Sequence, residues 1–186
     1  IIGAGGLGAP IALYLAAAGV GRLGIVDDDV VALSNLQRQI LYGTGDIGAP
    51  KVAAAARALG ALNPGVAVAG HAARLDTGNV DALLADHDLV LDGCDNFETR
   101  ALVNAACVRA GAPLLSAALS QWEGQVALFD PARGGPCYAC LFPEPPAPGL
   151  APSCAEAGIV GALPGVVGAL LALEAIKHLC GAGASL

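Results

Sequence analysis

Short runs of apolar residues alternate along the chain with longer, helix-like segments. The short runs predict strands at 1–2, 23–26, 66–69, 88–91, 114–115 and 125–129. The longer segments predict helices at 9–18, 51–62, 79–85, 98–110 and 165–179. Strands that alternate with crossover helices are typical of an α/β fold. The pattern therefore predicts a single domain over 1–186 with a Rossmann-like, mostly parallel sheet and helices on both faces.

One segment departs from this alternation. Residues 131–152 contain seven of the 12 prolines of the chain, and proline interrupts both helices and strands. We expect a loop there rather than regular structure, a mobile crossover loop over 131–154 of the functional kind. The longest apolar run, at 159–173, has 15 residues with one proline and three glycines. It is short for a membrane span and predicts a buried helix.

Composition narrows the class of protein. Hydrophobic residues make up 55% of the 186 residues, and charged residues make up 13%, which predicts a folded domain rather than a disordered chain. The net charge of −7 and the pI of about 4.7 argue against a basic groove for nucleic acid. Six cysteines without a visible secretory signal predict a reducing compartment, the cytoplasm, where cysteine spacing points to a metal or to catalysis.

A glycine-rich loop follows the first predicted strand. Gly3, Gly5 and Gly8, with Gly6 between them, match the pattern G-x-G-x-x-G at a strand-to-helix junction, where backbone N–H groups can bind a phosphate. Asp27 ends the next strand, 19 residues after Gly8, where a carboxylate can bind ribose hydroxyls. The glycines could serve only the close packing of helix and strand, but their context favours a nucleotide. The fingerprint alone suggests NAD.

Three charged residues argue against a dinucleotide. Arg38 lies in the block SNLQRQ at 34–39, Lys51 opens the second predicted helix, and Asp95 follows the fourth predicted strand. Arg and Lys can clamp the β- and γ-phosphates of a nucleoside triphosphate, and a carboxylate beside them is a natural Mg²⁺ ligand. Taken singly, Arg38 could be surface charge, Lys51 a helix-start cation and Asp95 a helix cap. Their joint order favours a triphosphate with Mg²⁺.

Six stretches of the sequence carry a resemblance to a known family. They are GAGGLG at 3–8, VDDDVVALSNLQRQ at 26–39, GAPK at 48–51, LDGCDN at 91–96, CYAC at 137–140 and CAEAG at 154–158. On these stretches, which run in order across nearly the whole chain, the sequence resembles the ThiF/MoeB/HesA family, the bacterial relatives of ubiquitin-activating enzymes. The block SNLQRQ is highly specific to that family, whereas the glycine motif alone is not.

The resemblance implies an adenylyltransferase that uses ATP and Mg²⁺. Its substrate would be the C-terminal Gly-Gly carboxylate of a ubiquitin-like sulfur-carrier protein, and pyrophosphate would be released. The implied nucleotide-binding residues are Gly3, Gly5, Gly6, Gly8, Asp27, Asn35, Arg38, Gln39, Lys51, Asp95 and Asn96. Among them Arg38 and Lys51 would act on the triphosphate and Asp95 would hold Mg²⁺. Since the nucleophile arrives ionised, charge neutralisation and in-line positioning would supply most of the rate.

The cysteines leave several interpretations open. Cys137 and Cys140 form C-x-x-C, half of a four-ligand structural zinc site, which members of the family complete with a second pair that this chain does not contain. The alternatives are a missing downstream segment, a degenerate site, or a redox pair that lacks a helix N-terminus to lower a thiol pKa. At the position of Cys154 some members of the family form a covalent adduct with the carrier. The alternative interpretation is that Cys154 is only a small residue in a loop. Cys94 and Cys107 are expected in the core.

The resemblance also sets expectations about assembly and pathway. It implies a homodimer, and it implies that the N-terminal arm and the C-terminal strands of the family lie outside this chain. The carrier could serve molybdopterin, thiamine or another sulfur-transfer biosynthesis, and one further relative adenylates a modified tRNA base. Two other classes stay open. One is an NAD(P)-dependent Rossmann oxidoreductase, which Arg38, Lys51 and Asp95 disfavour, and the other is a non-catalytic scaffold that keeps the fold alone.

Overall fold

The sheet is built from five strands and the dipeptide at 1–2. In the computed structural model, which describes residues 1–144 and 158–186, the strands are β1 Arg22–Val26, β2 Ala67–His71, β3 Val90–Asp92, β4 Leu114–Ser120 and β5 Glu123–Phe129. The helices are α1 Gly8–Ala17, α2 Lys51–Leu62, α3 Val80–Leu84, α4 Phe97–Ala110, α5 Tyr138–Leu141 and α6 Leu163–Cys180. Short 3-10 turns cover Leu33–Asn35, Thr44–Asp46 and Pro131–Arg133. The predicted order of strands and helices is confirmed.

Ile2 lies at the centre of the sheet. It forms parallel bridges with Val26 of β1 on one side and with Asp92 of β3 on the other, which gives the order β2-β1-Ile2-β3-β4-β5. β1 and β2 are parallel, β3 and β4 are parallel, and β5 is antiparallel to β4. The chain thus winds to one side of Ile2 through α1 and α2 and then returns to its other side. The edge beside Ile2 is therefore a topological switch point, where ligands bind in open α/β sheets.

Helices bury both faces of the sheet. On one face Ile25, Leu91 and Leu115 pack with apolar residues of α1, α2 and α6. On the other face Val90 and Leu114 pack with apolar residues of α3 and α4. Because successive side chains of a strand point to opposite faces, continuous apolar runs bury residues on both, which is typical of a parallel sheet. The predicted fold class, a mostly parallel sheet with helices on both faces, is confirmed.

α6 closes the face that α1 also covers. It has 18 residues with a mean hydropathy of 1.5, and by length and composition it is the one helix within residues 1–144 and 158–186 that could cross a membrane. Its residues Val167, Leu171 and Ala175 are nevertheless buried, and the helix packs against α1, β4 and β5. At Gly168 an added Cβ would lie 2.5 Å from Cγ of Pro10. The apolar run therefore forms a core helix, as predicted.

The proline-rich segment contains regular structure that the sequence did not predict. A 3-10 turn covers Pro131–Arg133, and Tyr138–Leu141 forms α5, so the prediction of a loop throughout 131–154 is wrong for these residues. α5 forms where Tyr138 is buried, with its ring 5.7 Å from that of Phe129 in an edge-to-face pair. Residues 145–157, including Cys154, lie outside the described residues.

Candidate functional site

A cleft of about 1070 Å³ opens at the carboxyl edge of the parallel strands, beside the switch point. The predicted nucleotide-binding residues that line it are Gly3, Gly5, Gly6, Asp27, Asn35, Arg38, Gln39, Lys51, Asp95 and Asn96. Gly8, the remaining residue of that set, begins α1 behind the loop. The other half of the cleft is lined by β4 and β5, including Ser116 and Gln125, and by Tyr138 of α5. The structure thus brings the predicted residues together in one cleft.

Close backbone packing explains two glycines of the loop. An added Cβ at Gly8 would overlap the carbonyl oxygen of Gly3. Gly3 has a φ of +86°, and a Cβ there would lie 3.1 Å from the carbonyl oxygen of Gly93, which follows β3. Both positions therefore require glycine. α1 has no side-chain N-cap. The N–H of Ala9 already donates to the carbonyl oxygen of Gly5 at 2.9 Å, and Pro10 has no N–H, so this end of the helix offers a ligand beside Gly5 and Gly6 mainly the positive end of its dipole.

Asp27 and Lys51 face the glycine loop from β1 and α2. Oδ2 of Asp27 accepts a hydrogen bond of 2.8 Å from the N–H of Ala4, which fixes the carboxylate against the loop. Lys51 is buried, and its Nζ lies 2.7 Å from Oδ2 of Asp29 and 3.6 Å from Oδ1 of Asp27. A buried ammonium requires such partners. The pairs place one positive charge next to the loop in which a phosphate would lie.

The turn at 34–39 lies over the glycine loop. The carbonyl oxygen of Asn35 accepts the N–H of Arg38 at 3.1 Å, which closes the turn. The stem of Arg38 lies against Gly6, with Cγ 3.5 Å from the position of an added Cβ. Nη1 of Arg38 donates to the carbonyl oxygen of Ser34, and no carboxylate of the described residues forms an ion pair with this guanidinium. Its charge is therefore available to a ligand in the cleft.

Gln39 carries an unpaired polar atom in the wall of the cleft. The residue is 3% exposed, and its Oε1 is the one buried side-chain nitrogen or oxygen in the described part of the chain that lacks a hydrogen-bond partner. Its amide lies beside Gly5, with Nε2 3.6 Å from the position of an added Cβ. A buried acceptor without a partner costs about 1–3 kcal/mol. The wall of the cleft thus contains an unsatisfied polar group.

Asp95 and Asn96 follow β3 and have different roles. Oδ1 of Asn96 accepts the N–H of Thr99 at 2.8 Å, so Asn96 is the N-cap of α4. The alternative in which Asp95 caps this helix is therefore wrong. Asp95 is exposed and lines the cleft, and its carboxylate has no hydrogen-bond or ion-pair partner among residues 1–144 and 158–186. That carboxylate is available to a cation.

Sequence reasoning missed a buried ion-pair network beneath Asp95. Oδ2 of Asp92, at the end of β3, lies 3.5 Å from Nε of Arg100 on α4, and both residues are buried. The hydroxyl of Ser116 on β4 donates to Asp92 at 2.9 Å and accepts Nη1 of Arg100 at 3.2 Å. Burial disfavours the charged guanidinium, but the attraction of Asp92 outweighs it and raises the pKa of Arg100. A carboxylate at the end of an apolar strand, followed eight residues later by an arginine, was the available signal.

Cys137 and Cys140 lie at the start of α5. Their Sγ atoms are 3.7 Å apart, and Nδ2 of Asn104 donates to the Cys137 thiol at 3.8 Å. α5 begins directly after Cys137, so the expectation that no helix N-terminus lies near this pair is wrong. Desolvation acts to raise the pKa of Cys137, but hydrogen bonds from Cys140 and Asn104 outweigh it and lower the pKa. In the described residues no His, Asp, Glu or further Cys joins the two thiols.

The glycine loop at the switch point of a doubly wound sheet defines an α/β domain of Rossmann-like topology. The ThiF family matches residues 1–185 of this sequence. The chain therefore belongs to the ThiF family, as the resemblance implied.

Three similar proteins add detail. The sulfur carrier protein adenylyltransferase of Thermus thermophilus is 54% identical over 187 residues, which cover 98% of this chain and 69% of that protein. The SAMP-activating enzyme E1 of Haloferax volcanii is 50% identical over 186 residues, covering 100% and 68%. The crystal structure of E. coli MccB + ATP matches with a TM-score of 0.84 and 25% identity, covering 100% of this chain and 56% of the other. The predicted enzyme class, adenylyltransferase, is confirmed.

Proposed function

We propose that this domain binds ATP and Mg²⁺ in the cleft and adenylylates the C-terminal Gly-Gly carboxylate of a ubiquitin-like sulfur-carrier protein. The observation that carries the proposal is the continuity of the cleft. One half is lined by the glycine loop, Arg38 and Lys51, the other half by β4 and β5, and Asp95 follows the strand between them. A nucleotide in the first half and an extended chain end in the second would meet near Asp95.

The substrate class is supported by the names of the relatives. The protein of T. thermophilus is named for a sulfur carrier protein, and the protein of H. volcanii is named for the activation of SAMP. The crystal structure of E. coli MccB that this chain resembles is that of MccB with ATP. We extend ATP and a small carrier protein to this chain. Molybdopterin, thiamine and other sulfur-transfer pathways are all compatible with such a carrier.

In the proposed reaction a carboxylate oxygen of the carrier attacks the α-phosphorus of ATP. The bond from this phosphorus to the oxygen that bridges the α- and β-phosphates breaks, and pyrophosphate leaves with that oxygen. The α-carboxyl group has a pKa of about 3.5, so it is already ionised and needs no general base. The negative charge would be stabilised by the buried Lys51, by the positive end of α1 and by the guanidinium of Arg38, which forms no ion pair with the described residues.

The residues of the cleft fit both the nucleotide and Mg²⁺. Oε1 of Gln39 offers a buried acceptor without a partner, and Asp27 keeps acceptor capacity for a ribose hydroxyl beyond its bonds to backbone N–H groups. Asp95 offers an exposed carboxylate, and Mg²⁺ in such sites takes one or two carboxylates plus phosphate oxygens. When bound, Mg²⁺ would neutralise charge on the phosphates and on the departing pyrophosphate.

The decisive experiment is ATP–pyrophosphate exchange by the full-length protein with a panel of Gly-Gly-terminated carriers. Carrier-dependent exchange is expected, and the same carrier with an amidated C-terminus should give none because the nucleophile is missing. Arg38→Ala and Asp95→Ala should abolish exchange in folded protein, whereas Arg57→Ala, an exposed arginine on α2, should not. Tight ATP binding without exchange for any carrier would favour a scaffold or a non-protein substrate, and binding of NADH without ATP would revive the oxidoreductase.

The proposal includes a zinc ion at Cys137 and Cys140. In a tetrahedral site with Zn–S bonds of about 2.3 Å, neighbouring sulfurs lie about 3.8 Å apart, and the two Sγ atoms here are 3.7 Å apart. The pair would supply two of four ligands. Metal analysis of the full-length protein tests this: one zinc per chain is expected, and its loss in Cys137→Ser would locate it. Cys154 as the site of a covalent carrier adduct stays a prediction.

A homodimer in the cytoplasm completes the proposal. α6 exposes Val166, Leu170 and Leu173, which recur at the spacing of one helical face, and α1 exposes Tyr14 beside it. Such an apolar strip supports burial against a second copy. Light scattering with size exclusion should give twice the mass of the chain, and Leu170→Glu should reduce it to that of a monomer. The cytoplasm is proposed from the cysteine usage of the sequence, whose C-x-x-C spacing points to a metal.

A further inference from the structure

The backbone of Cys94, the residue before Asp95, is held by both partners of one buried ion pair. Oδ1 of Asp92 accepts the N–H of Cys94 at 3.0 Å. Nη2 of Arg100 donates to the carbonyl oxygen of Cys94 at 2.8 Å. The acceptor and the donor of this peptide segment are thus fixed by opposite charges that also attract each other across 3.5 Å. Charge-assisted hydrogen bonds of this kind are stronger than those between neutral groups.

The same network joins this turn to the neighbouring strand. Ser116 of β4 bonds to both charged partners, at 2.9 Å to Asp92 and at 3.2 Å to Arg100. Nη2 of Arg100 also donates to the carbonyl oxygen of Ala117 at 3.0 Å. The guanidinium of Arg100, on α4, therefore contacts the end of β3, the turn that follows β3, and β4. The position of the turn relative to β4 is set at this point.

Asp95 itself lies between two anchored residues. Cys94 is fixed by the ion pair, and Asn96 is fixed as the N-cap of α4. The backbone N–H of Arg100 also donates to the carbonyl oxygen of Asn96 at 3.3 Å. The carboxylate of Asp95 alone has no partner in the described part of the chain. The backbone is thus held rigidly, and the free group is the one that faces the cleft.

Arg100 acts on protein groups rather than on a ligand. Three of its five N–H donors bond to Ser116, Cys94 and Ala117, and its Nε lies 3.5 Å from Oδ2 of Asp92 in the ion pair. The ring of Tyr138 covers the guanidinium, with Cζ 5.9 Å from the ring centroid. Although Arg100 lines the cleft, its guanidinium is already paired with Asp92 and bonded to backbone carbonyl oxygens.

We propose that Asp92, Arg100 and Ser116 are positioning residues that hold the Asp95 carboxylate where it binds the Mg²⁺ of the nucleotide. The inference rests on the proposed function. Groups that orient a metal ligand typically change metal affinity by about 10–100-fold when they are removed. The network therefore controls the part of nucleotide affinity that Mg²⁺ supplies, and it leaves the metal-free affinity for ATP unchanged.

The test is calorimetric binding of ATP to the full-length protein with and without Mg²⁺, together with the Mg²⁺ midpoint of pyrophosphate exchange. Ser116→Ala, which removes one hydroxyl and keeps the ion pair, should leave the metal-free Kd unchanged and reduce the gain from Mg²⁺ by about 10-fold. Arg100→Lys should reduce it further. Asp95→Asn should abolish the gain, and adding Ser116→Ala to it should change nothing more. Arg109→Lys, an exposed arginine on the same helix that pairs with Asp81, is the matched control.

The outcomes separate this inference from the proposed function. A lower melting temperature in Ser116→Ala with a wild-type Mg²⁺ midpoint would show a purely structural network and overturn the inference alone. An additive effect of Ser116→Ala in the Asp95→Asn background would overturn it as well, because Ser116 would then act elsewhere. If the wild-type protein shows neither Mg²⁺-dependent ATP binding nor carrier-dependent exchange, the proposed function fails first and the inference falls with it. Should Arg100→Lys not fold, Ser116→Ala decides the question.

Discussion

Nζ of Lys51 lies 2.7 Å from Oδ2 of Asp29, across 22 residues of sequence. The two side chains differ sharply in exposure, since 5% of the lysine and 67% of the aspartate is accessible to solvent. Water solvates the outer side of the exposed carboxylate and weakens its attraction for the ammonium, whereas the ammonium is confined to the wall of the cleft. The pair therefore keeps the ammonium of Lys51 in place, and this ammonium can pair with a triphosphate bound in the cleft.

Lys51→Met should lower kcat/KM for ATP in pyrophosphate exchange by about 100-fold or more, because it removes a fixed charge next to the transferring phosphates. Asp29→Asn should cost much less, since Asp27 still lies 3.6 Å from the ammonium. Lys177→Met is the control, a lysine paired with Glu174 on α6 and remote from the cleft. Exchange by Lys51→Met within twofold of wild type would remove Lys51 from the site.

Gln39→Leu should have opposite effects on stability and on binding. In the unliganded protein the substitution removes an unpaired buried acceptor. The free energy of unfolding should therefore stay the same or rise by up to about 1–3 kcal/mol. The Kd for ATP should rise about 10-fold, which corresponds to about 1.4 kcal/mol. Denaturant unfolding and calorimetric titration measure the two quantities. Gln37→Leu, exposed in the same turn, is the control, and equal losses of stability and affinity in Gln39→Leu would contradict a ligand-directed role.

Gly8→Ala should destabilise the domain by about 1–3 kcal/mol or more, because its Cβ would overlap the carbonyl oxygen of Gly3 and neither backbone can move freely. Gly60→Ala is the matched control, since Gly60 lies within α2 and an added Cβ there meets nothing within 4 Å. It should stabilise the protein by about 0.5–1 kcal/mol. Thermal unfolding compares the two variants. A neutral Gly8→Ala would mean that the loop relaxes where the structure shows close packing.

The fold could be predicted from the sequence because its signals are local. Apolar runs bounded by glycine give the strands, and Gly3, Asp27 and Asp95 each directly follow or lie near the end of one, so parallel topology alone brings these three residues to one edge of the sheet. The network of Asp92 with Arg100 could not be predicted in the same way. On an isolated helix Arg100 is indistinguishable from a surface charge, and only tertiary packing buries it.

The short helix α5 was missed for a similar reason. Proline density predicts a loop, and the four residues of α5 have too little local propensity to overcome that prediction. The helix is held by contacts that no local pattern contains, namely the burial of Tyr138 against Phe129 and the bond from its N–H to Oδ1 of Asn104 at 2.8 Å. Burial through distant residues is what local sequence reasoning cannot supply.

Asp95→Ala and Asn96→Ala should separate function from folding at adjacent positions. Asn96 caps α4, so its replacement should lower the free energy of unfolding by about 1 kcal/mol. Asp95 makes no such bond to the described residues, and its replacement should leave stability within about 0.5 kcal/mol of wild type while it abolishes the Mg²⁺ dependence of ATP binding. Urea unfolding and titration with and without Mg²⁺ supply the measurements. A large loss of stability in Asp95→Ala would indicate a structural contact in place of a metal ligand.

Cys107 should make the protein less stable at alkaline pH. It is buried on α4 as predicted, and desolvation, with a smaller contribution from Asp92, raises the pKa of its thiol to about 12. In the unfolded chain a thiol ionises with a pKa of about 8.5. Above that pH the unfolded state binds fewer protons than the folded state, so the free energy of unfolding falls as pH rises, by up to about 1.4 kcal/mol per pH unit for one thiol.

The slope belongs to the window between the two pKa values, about 8.5 to 12, and below it the contribution of Cys107 to stability is fully present. Cys107→Val keeps an apolar side chain in the core and removes the ionisation, so it should flatten the decline in stability between pH 9 and pH 11, by about the slope of one thiol. Denaturant unfolding at several pH values measures the decline, with the exposed Cys180→Val as the control. Burial of Cys94 raises its thiol pKa as well, so part of the decline should persist in Cys107→Val. An unchanged slope in this variant would show that Cys107 ionises in the folded state as readily as in the unfolded chain.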